Sequence, residues 1–198
     1  MKEFFKTRSY DMVRAFLNQF ATAIFGMVLA IAAGMAQNPT LRNVTSAFAI
    51  LFYLFLLYNM MWELGFKDKA NADNGYRKRQ PLTGLYISLC ANIPNFLFAV
   101  FILLAKVFNV GFLSTIGGFA ATAALFLEGM YTGVLANQVG GVPLNSHWWV
   151  YFVIIIPSLA VSALAYYFGL CDKKFTGLFK YQYPESDREP KKKKNRDD

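Results

Sequence analysis

Long apolar stretches alternate with short polar segments along this chain. A helix needs about 20 apolar residues to cross a hydrocarbon core about 30 Å thick. Stretches of roughly that length lie at residues 16–35, 46–66, 82–104 and 148–170. The pattern predicts an all-α fold, a polytopic transmembrane helix bundle over residues 1–170, followed by a basic tail at residues 171–198.

The third apolar stretch contains a predicted kink. Asn92, Pro94 and Asn95 lie near its middle. Proline removes one backbone donor and disfavours the helical conformation of the residue before it. We therefore expect residues 82–104 to form a bent rather than a straight helix.

The number of crossings depends on residues 82–147, which include an apolar, glycine-rich stretch at residues 107–143. In one arrangement the chain crosses six times, turns at Glu128 and Gly129, and returns through a short or broken element at residues 130–146. In the other it crosses four times, and one segment between residues 82 and 137 is re-entrant. The Pro94 segment and the Gly117-Gly118 segment are both candidates for re-entry.

The distribution of Lys and Arg favours an even number of crossings. Five alternating helices would place 9 of the 20 basic residues on one side and 11 on the other. Either even arrangement places 18 on one side and 2 on the other. Because basic loops stay in the cytoplasm, we expect both termini and residues 67–79 to be cytoplasmic, in the plasma membrane.

Composition agrees with a membrane location and indicates which partners to expect. The chain is 56% hydrophobic and carries a net charge of +8. Its basic residues flank apolar runs and have no nucleic-acid-binding module around them, so the expected partners are the bilayer and its anionic headgroups. The tail, with Lys191–Lys194, should be disordered and could be held to anionic lipid.

Polar residues inside the apolar stretches are the candidate substrate or ion site, because polar groups are costly in lipid and often mark transport pathways. Asn59 and Glu63 lie one helical turn apart in the second stretch. They could face the bundle interior together with Asn92 and Asn95. Alternatively, Glu63 could pair with Lys67 at the water interface.

The location and role of Glu128 depend on the topology. With six crossings it is a turn residue. With five helices or a nearby re-entrant segment it would lie in the hydrocarbon, where a carboxylate would be protonated or paired and could couple proton or cation movement. Asn137 and Gln138, in the broken element, join it as candidates because irregular backbone at membrane depth must be shielded or line a cavity.

Small residues recur on two helix faces and predict close packing or a partner interface. Gly26, Ala30 and Gly34 follow one another at every fourth position of the first stretch, and Gly129 and Gly133 form a second pair. Packing within the chain and docking of another subunit or a second copy remain alternatives.

No catalytic motif is present, and neither an enzyme nor a cofactor is expected. One His and two Cys cannot build a Cys/His zinc site. The sequence favours a non-enzymatic small-solute transport protein or a transporter subunit. An adaptor or assembly protein, binding a membrane protein through its small-residue faces, is the alternative. In size and expected topology the chain resembles the substrate-capturing subunits of energy-coupling-factor importers.

Overall fold

The computed structural model describes residues 2–76, 78–108 and 111–173, and 83% of these residues are helical. The fold is therefore nearly all-α, as the apolar pattern predicts. Of the tail predicted at residues 171–198, only residues 171–173 are described, so the predicted disorder and Lys191–Lys194 lie outside the described residues. In chain order the elements are α1 (Lys2–Met35), α2 (Pro39–Asp73), α3 (Thr83–Ala91), α4 (Ile93–Phe108), α5 (Gly111–Leu127), a 3₁₀ turn (Gly129–Tyr131), α6 (Thr132–Leu135), β1 (Gln138–Val139), β2 (Val142–Pro143), a second 3₁₀ turn (Leu144–Ser146), α7 (Val150–Val153) and α8 (Ile156–Leu170).

Three helical segments are long and apolar enough to cross a membrane: Phe4–Met35, Pro39–Asp73 and Val150–Leu170. The number rises to five if the bent pairs α3–α4 and α5–α6 each count as one span. These helices indicate an integral membrane protein. Six crossings are not confirmed.

The first two helices extend beyond their apolar stretches because local signals set their ends. Asn38 caps α2, its side chain accepting hydrogen bonds from the backbone N–H groups of Thr40 and Leu41 at 3.0 and 3.1 Å. Pro39 follows as the first helical residue, where its missing N–H costs nothing. At the other end, α2 continues through charged residues until Asn74 and Gly75, and Gly75 has a φ of 77°.

The two ends of the bundle can be distinguished by their contacts. Arg8 of α1, Asp68 of α2 and Tyr166 of α8 meet at one end, called here the basic end. Lys69 also pairs with Asp172 there, at 3.0 Å. The described parts of the three basic segments therefore share one end of the bundle, the arrangement that the charge count favours.

The opposite end is called here the loop end. Arg42 and Asn43 of α2 meet Asn137 there, with contacts of 3.2 and 2.8 Å. The β1–β2 hairpin follows, antiparallel, with Gln138 opposite Pro143. Its turn is formed by Gly140 and Gly141, whose φ angles of 63° and 81° favour glycine.

The region in which the sequence does not decide the number of crossings forms two bent helix pairs. From the basic end, α3 runs inward to Asn92, where the direction changes by 55° into α4. Helices α4 and α5 form an antiparallel hairpin in which Gly117 packs on Ala105. After α5 the direction changes by 87° at Glu128, and α6 continues toward the loop end.

Residues 130–146 do not form one membrane-length helix. A 3₁₀ turn, the four-residue α6, the hairpin and a second 3₁₀ turn occupy this region instead. Gly140 and Gly141 have positive φ angles in the hairpin turn and Pro143 has no N–H, so a continuous helix cannot extend through residues 140–143. The kink predicted in the third apolar stretch is confirmed by the 55° change of direction between α3 and α4.

Candidate functional site

The carboxyl group of Glu128 lies inside the bundle, at the bend that follows α5. The residue is only 3% exposed. It precedes the 3₁₀ turn, and its backbone carbonyl accepts a hydrogen bond from the Tyr131 N–H at 2.8 Å. Glu128 therefore lies at a bend and is also buried, whereas the sequence presents a turn position and a buried position as alternatives.

Two neutral amides hold the carboxyl group. Gln19 Nε2 of α1 donates to Glu128 Oε1 at 2.8 Å, and Asn95 Nδ2 of α4 donates to the same oxygen at 2.7 Å. Within the described ranges, no Lys, Arg or His side chain forms an ion pair with Glu128. The carboxyl group is therefore removed from water without a protein cation to balance it.

The hydrogen bonds continue across the bundle from Asn95. Its Nδ2 also donates to Asn92 Oδ1 at 2.9 Å. Asn92 Nδ2 in turn donates to the Ser88 carbonyl oxygen at 2.9 Å and to Ser158 Oγ of α8 at 3.2 Å. This central network connects Glu128 with both sides of the α3–α4 break and with α8.

Two tyrosines complete the surroundings of Glu128. Tyr53 of α2 and Tyr131 are both buried and both interact electrostatically with Glu128. Tyr131 is the last residue of the 3₁₀ turn that follows Glu128. The Tyr131 hydroxyl and Asn95 Oδ1 are buried and have no hydrogen-bond partner.

The break at Asn92 is a local consequence of sequence, whereas the break at Glu128 is packed closely against α1. Asn92 ends α3 and Pro94 has no N–H to continue its hydrogen-bond ladder. At the other break, a Cβ on Gly129 would lie 2.2 Å from the Ala23 carbonyl oxygen. A Cβ on Gly26 would lie 2.3 Å from Met130 Cα. The two glycines therefore let the bend touch α1, within reach of Gln19.

The expectation that Asn59 and Glu63 join Asn92 and Asn95 is wrong. Asn59 is exposed, and Glu63 pairs with Lys67 at 2.7 Å. The interior face of α2 is formed by Tyr53, Leu57, Met61, Gly65 and Asp68 among others. At 100° per residue, Asn59 and Glu63 lie about 160° around the helix from the centre of the row from Leu57 to Asp68. The interfacial pair was the correct alternative.

Asn137 and Gln138 are also separate from the central network. Asn137 donates to Asn43 Oδ1 at 2.8 Å and accepts from Arg42 at 3.2 Å, at the loop end. Gln138 is exposed in β1. Helix α6 carries the chain away from Glu128 before these residues are reached.

Of the small-residue positions, three pack within the chain and two remain accessible. Gly26 and Gly129 form the contact described above, and a Cβ on Gly133 would lie 2.7 Å from the Arg42 carbonyl oxygen. Ala30 is half-buried, whereas Gly34 has nothing within 4 Å of its added Cβ.

A second polar cluster, which sequence reasoning did not find, lies at the basic end. Arg8 binds Asp68 and is 3.4 Å from Asp11. The Tyr166 hydroxyl donates to Asp68 Oδ2 at 2.6 Å. Arg8, Asp68 and Tyr166 are all buried, so this cluster ties α1, α2 and α8 together.

The central network and its surroundings likewise contain residues that the sequence did not single out, namely Gln19, Ser88 and Ser158 in the network and Tyr53 and Tyr131 beside it. Gln19 could have been identified from the sequence, because it is an amide within an otherwise apolar stretch. Asp68 gives a weaker indication, because it continues the interior row of Met61 and Gly65 at helical spacing. Serine and tyrosine are too common in helices to be selected by position alone.

Known proteins add no further assignment: no family, no curated protein and no solved structure shows significant similarity to this chain.

Proposed function

We propose that this protein is a non-enzymatic transport protein for a small solute, or the membrane subunit of a transporter, with its site at Glu128. The observation that carries the proposal is a buried carboxyl group, held by neutral amides, at the meeting point of two broken helices. Intramembrane carboxyl groups are expensive and mark ion, proton or substrate pathways.

The helix breaks support the same function. Transporters place substrate and coupling-ion sites where discontinuous helices meet, because broken backbone supplies polar groups in the middle of an apolar bundle. Here the breaks at Asn92 and Glu128 are joined by the side chain of Asn95, which contacts both residues. A bend also gives two helical segments freedom to rotate against each other.

For orientation we place both termini and residues 67–79 in the cytoplasm, at the plasma membrane, with the basic residues near anionic headgroups. Single cysteines at Asn74 and Asn145, in a background lacking Cys90 and Cys171, test this placement. An impermeant thiol reagent should label position 145 from outside intact cells and leave position 74 unlabelled. The reverse labelling would contradict the orientation.

Transport can be tested without knowing the solute. Proteoliposomes containing wild-type protein, Glu128→Gln or Glu63→Gln are incubated with a small-molecule extract of cells and washed, and accumulated solutes are identified by mass spectrometry. Glu63→Gln is the matched control because its carboxylate is solvated and paired with Lys67.

We expect at least one solute to accumulate with wild type and Glu63→Gln and to be lost with Glu128→Gln. Two results would contradict the proposal. One is wild-type vesicles that accumulate nothing beyond protein-free vesicles. The other is Glu128→Gln vesicles that accumulate as much as wild type.

The adaptor function has one observation in its favour, since Gly34 is open and Ala30 half-buried on α1. Lipid provides no hydrophobic force between helices, so small residues on such a face allow the close contact that a partner helix needs. An adaptor would retain a co-purified membrane protein in Glu128→Gln and lose it in Gly34→Leu. The resemblance to energy-coupling-factor subunits is one of size and expected topology, including six crossings, so we transfer no substrate class from it.

A further inference from the structure

We infer that Glu128, Asn95 and Tyr131 form a binding site for a single monovalent metal cation of the alkali type. The inference deepens the proposed function and rests on the same buried carboxyl group. It adds the chemical class of one ligand and the atoms that would bind it.

The first argument is the presence of unused oxygen atoms. Asn95 is 4% exposed and Tyr131 is 6% exposed, yet Asn95 Oδ1 and the Tyr131 hydroxyl have no hydrogen-bond partner. A buried polar atom without a partner costs roughly 1–3 kcal/mol, so in native proteins such an atom usually contacts an ion, a ligand or an ordered water molecule. Two of them occur beside one buried carboxyl group.

The second argument is the position of these oxygens. Asn95 Nδ2 is 2.7 Å from Glu128 Oε1, and Oδ1 is bonded to the same carbon as Nδ2. Tyr131 ends the 3₁₀ turn that begins directly after Glu128, and it lies close enough for the charge of Glu128 to act on its hydroxyl group. Three oxygen-bearing groups therefore converge, and oxygen is the ligand that hard cations prefer.

The third argument is charge. Calcium sites in proteins combine six to eight oxygen ligands that include carboxylates, and magnesium sites use one or two carboxylates together with waters or phosphates. Among the described residues, no group of three or more His, Cys, Asp and Glu side chains is arranged to hold a metal ion. Gln19 and Asn95 are neutral, so a single carboxylate supplies one negative charge, which a monovalent cation balances.

The proton is the rival occupant of the site. A protonated Glu128 could donate to Asn95 Oδ1 if the amide were rotated, and this would satisfy one of the two unused oxygens. It would leave the Tyr131 hydroxyl unpartnered. A cation between the three groups satisfies both oxygens at once.

The test measures cation binding to the purified protein in detergent, separately from transport. Unfolding temperature is recorded while choline chloride is replaced, at constant ionic strength, by NaCl or KCl, with MgCl₂ and CaCl₂ as further arms. Binding of ²²Na⁺ or ⁸⁶Rb⁺ gives the stoichiometry. The variants are Glu128→Gln, Tyr131→Phe and the control Tyr86→Phe, whose ring is half-exposed.

Both site variants should fold. The amide oxygen of Glu128→Gln can still accept from Gln19 and Asn95, and Tyr131→Phe removes a hydroxyl that has no partner. Tyr131→Phe should therefore unfold in choline at a temperature equal to or above that of wild type.

We expect saturable stabilisation by Na⁺ or K⁺, one ion bound per chain, no binding by Glu128→Gln and about tenfold weaker binding by Tyr131→Phe. Tyr86→Phe should behave as wild type. The inference is overturned if neither cation binds, if Mg²⁺ or Ca²⁺ binds instead, or if Glu128→Gln binds as tightly as wild type.

The two proposals can fail separately. Glu128-dependent solute accumulation without cation binding would refute the cation site and leave the transport function. Glu128-dependent cation binding without accumulation of any solute would refute the transport function and leave the cation site.

Discussion

The contact between Gly129 and α1 holds the central network together, and Gly129→Ala tests this directly. The added Cβ would lie 2.2 Å from the Ala23 carbonyl oxygen, whereas ordinary contacts begin at 3.4 Å. The 3₁₀ turn must therefore move away from α1 by about 1.2 Å. The same movement would stretch the 2.8 Å hydrogen bond between Gln19 and Glu128 beyond hydrogen-bonding range.

The free-energy cost follows from these two effects. Forcing a methyl group into a packed interface costs about 1–3 kcal/mol. Leaving a buried carboxyl group with one donor fewer costs a similar amount. Gly129 has no positive φ, so backbone strain does not add to the cost. We expect Gly129→Ala to lower the free energy of unfolding by about 2–5 kcal/mol.

Reversible denaturation of the purified protein in mixed micelles measures this change. The matched control is Gly118→Ala in α5, where the added Cβ meets nothing within 4 Å. Alanine is the better helix former there and should raise stability by roughly 0.5–1 kcal/mol. Equal stability of the two variants would refute the argument that the Gly129 contact positions Glu128.

Two further substitutions test the other polar contacts. Arg8→Met leaves Asp68 buried without its cation and should lower the free energy of unfolding by about 3–5 kcal/mol. The control Lys67→Met breaks an exposed ion pair and should lower it by at most about 1 kcal/mol. Similar losses in the two variants would contradict the argument from burial. Asn92→Leu removes the acceptor of Asn95 and should cost about 1–3 kcal/mol, while Asn59→Leu, on the exposed face, should change little in the same denaturation assay. A smaller loss for Asn92→Leu than for Asn59→Leu would show that the central network does not stabilise the bundle.

Several features of the fold and site were accessible from sequence for identifiable reasons. The bend at Asn92 was predicted because proline acts on its own backbone and on the preceding residue. Glu128 was singled out because it is an isolated charge in an apolar stretch. Asn92 and Asn95 were selected on the same grounds, and the structure brings all three together.

Other features could not be obtained in this way. Asn59 and Glu63 were selected for their polarity, but polarity does not tell which face of α2 turns inward. Arg8 and Asp68 belong to segments rich in charge, where nothing in the local sequence separates a buried ion pair from solvated neighbours. Gln19 could be noticed but not assigned a partner, because Glu128 is 109 residues away in the chain.

By itself the sequence determined that apolar helices dominate, that basic residues gather in three segments and that the helix containing Pro94 bends. These properties follow from side-chain hydrophobicity, charge and backbone chemistry, which act over short distances along the chain. Only the tertiary structure decided that the two breaks meet, that Gln19 and Asn95 share one oxygen of Glu128, and that Asn95 and Tyr131 keep unused oxygens beside it. Such contacts depend on which helix faces pack together, and close approach at Gly26 and Gly129 settles that.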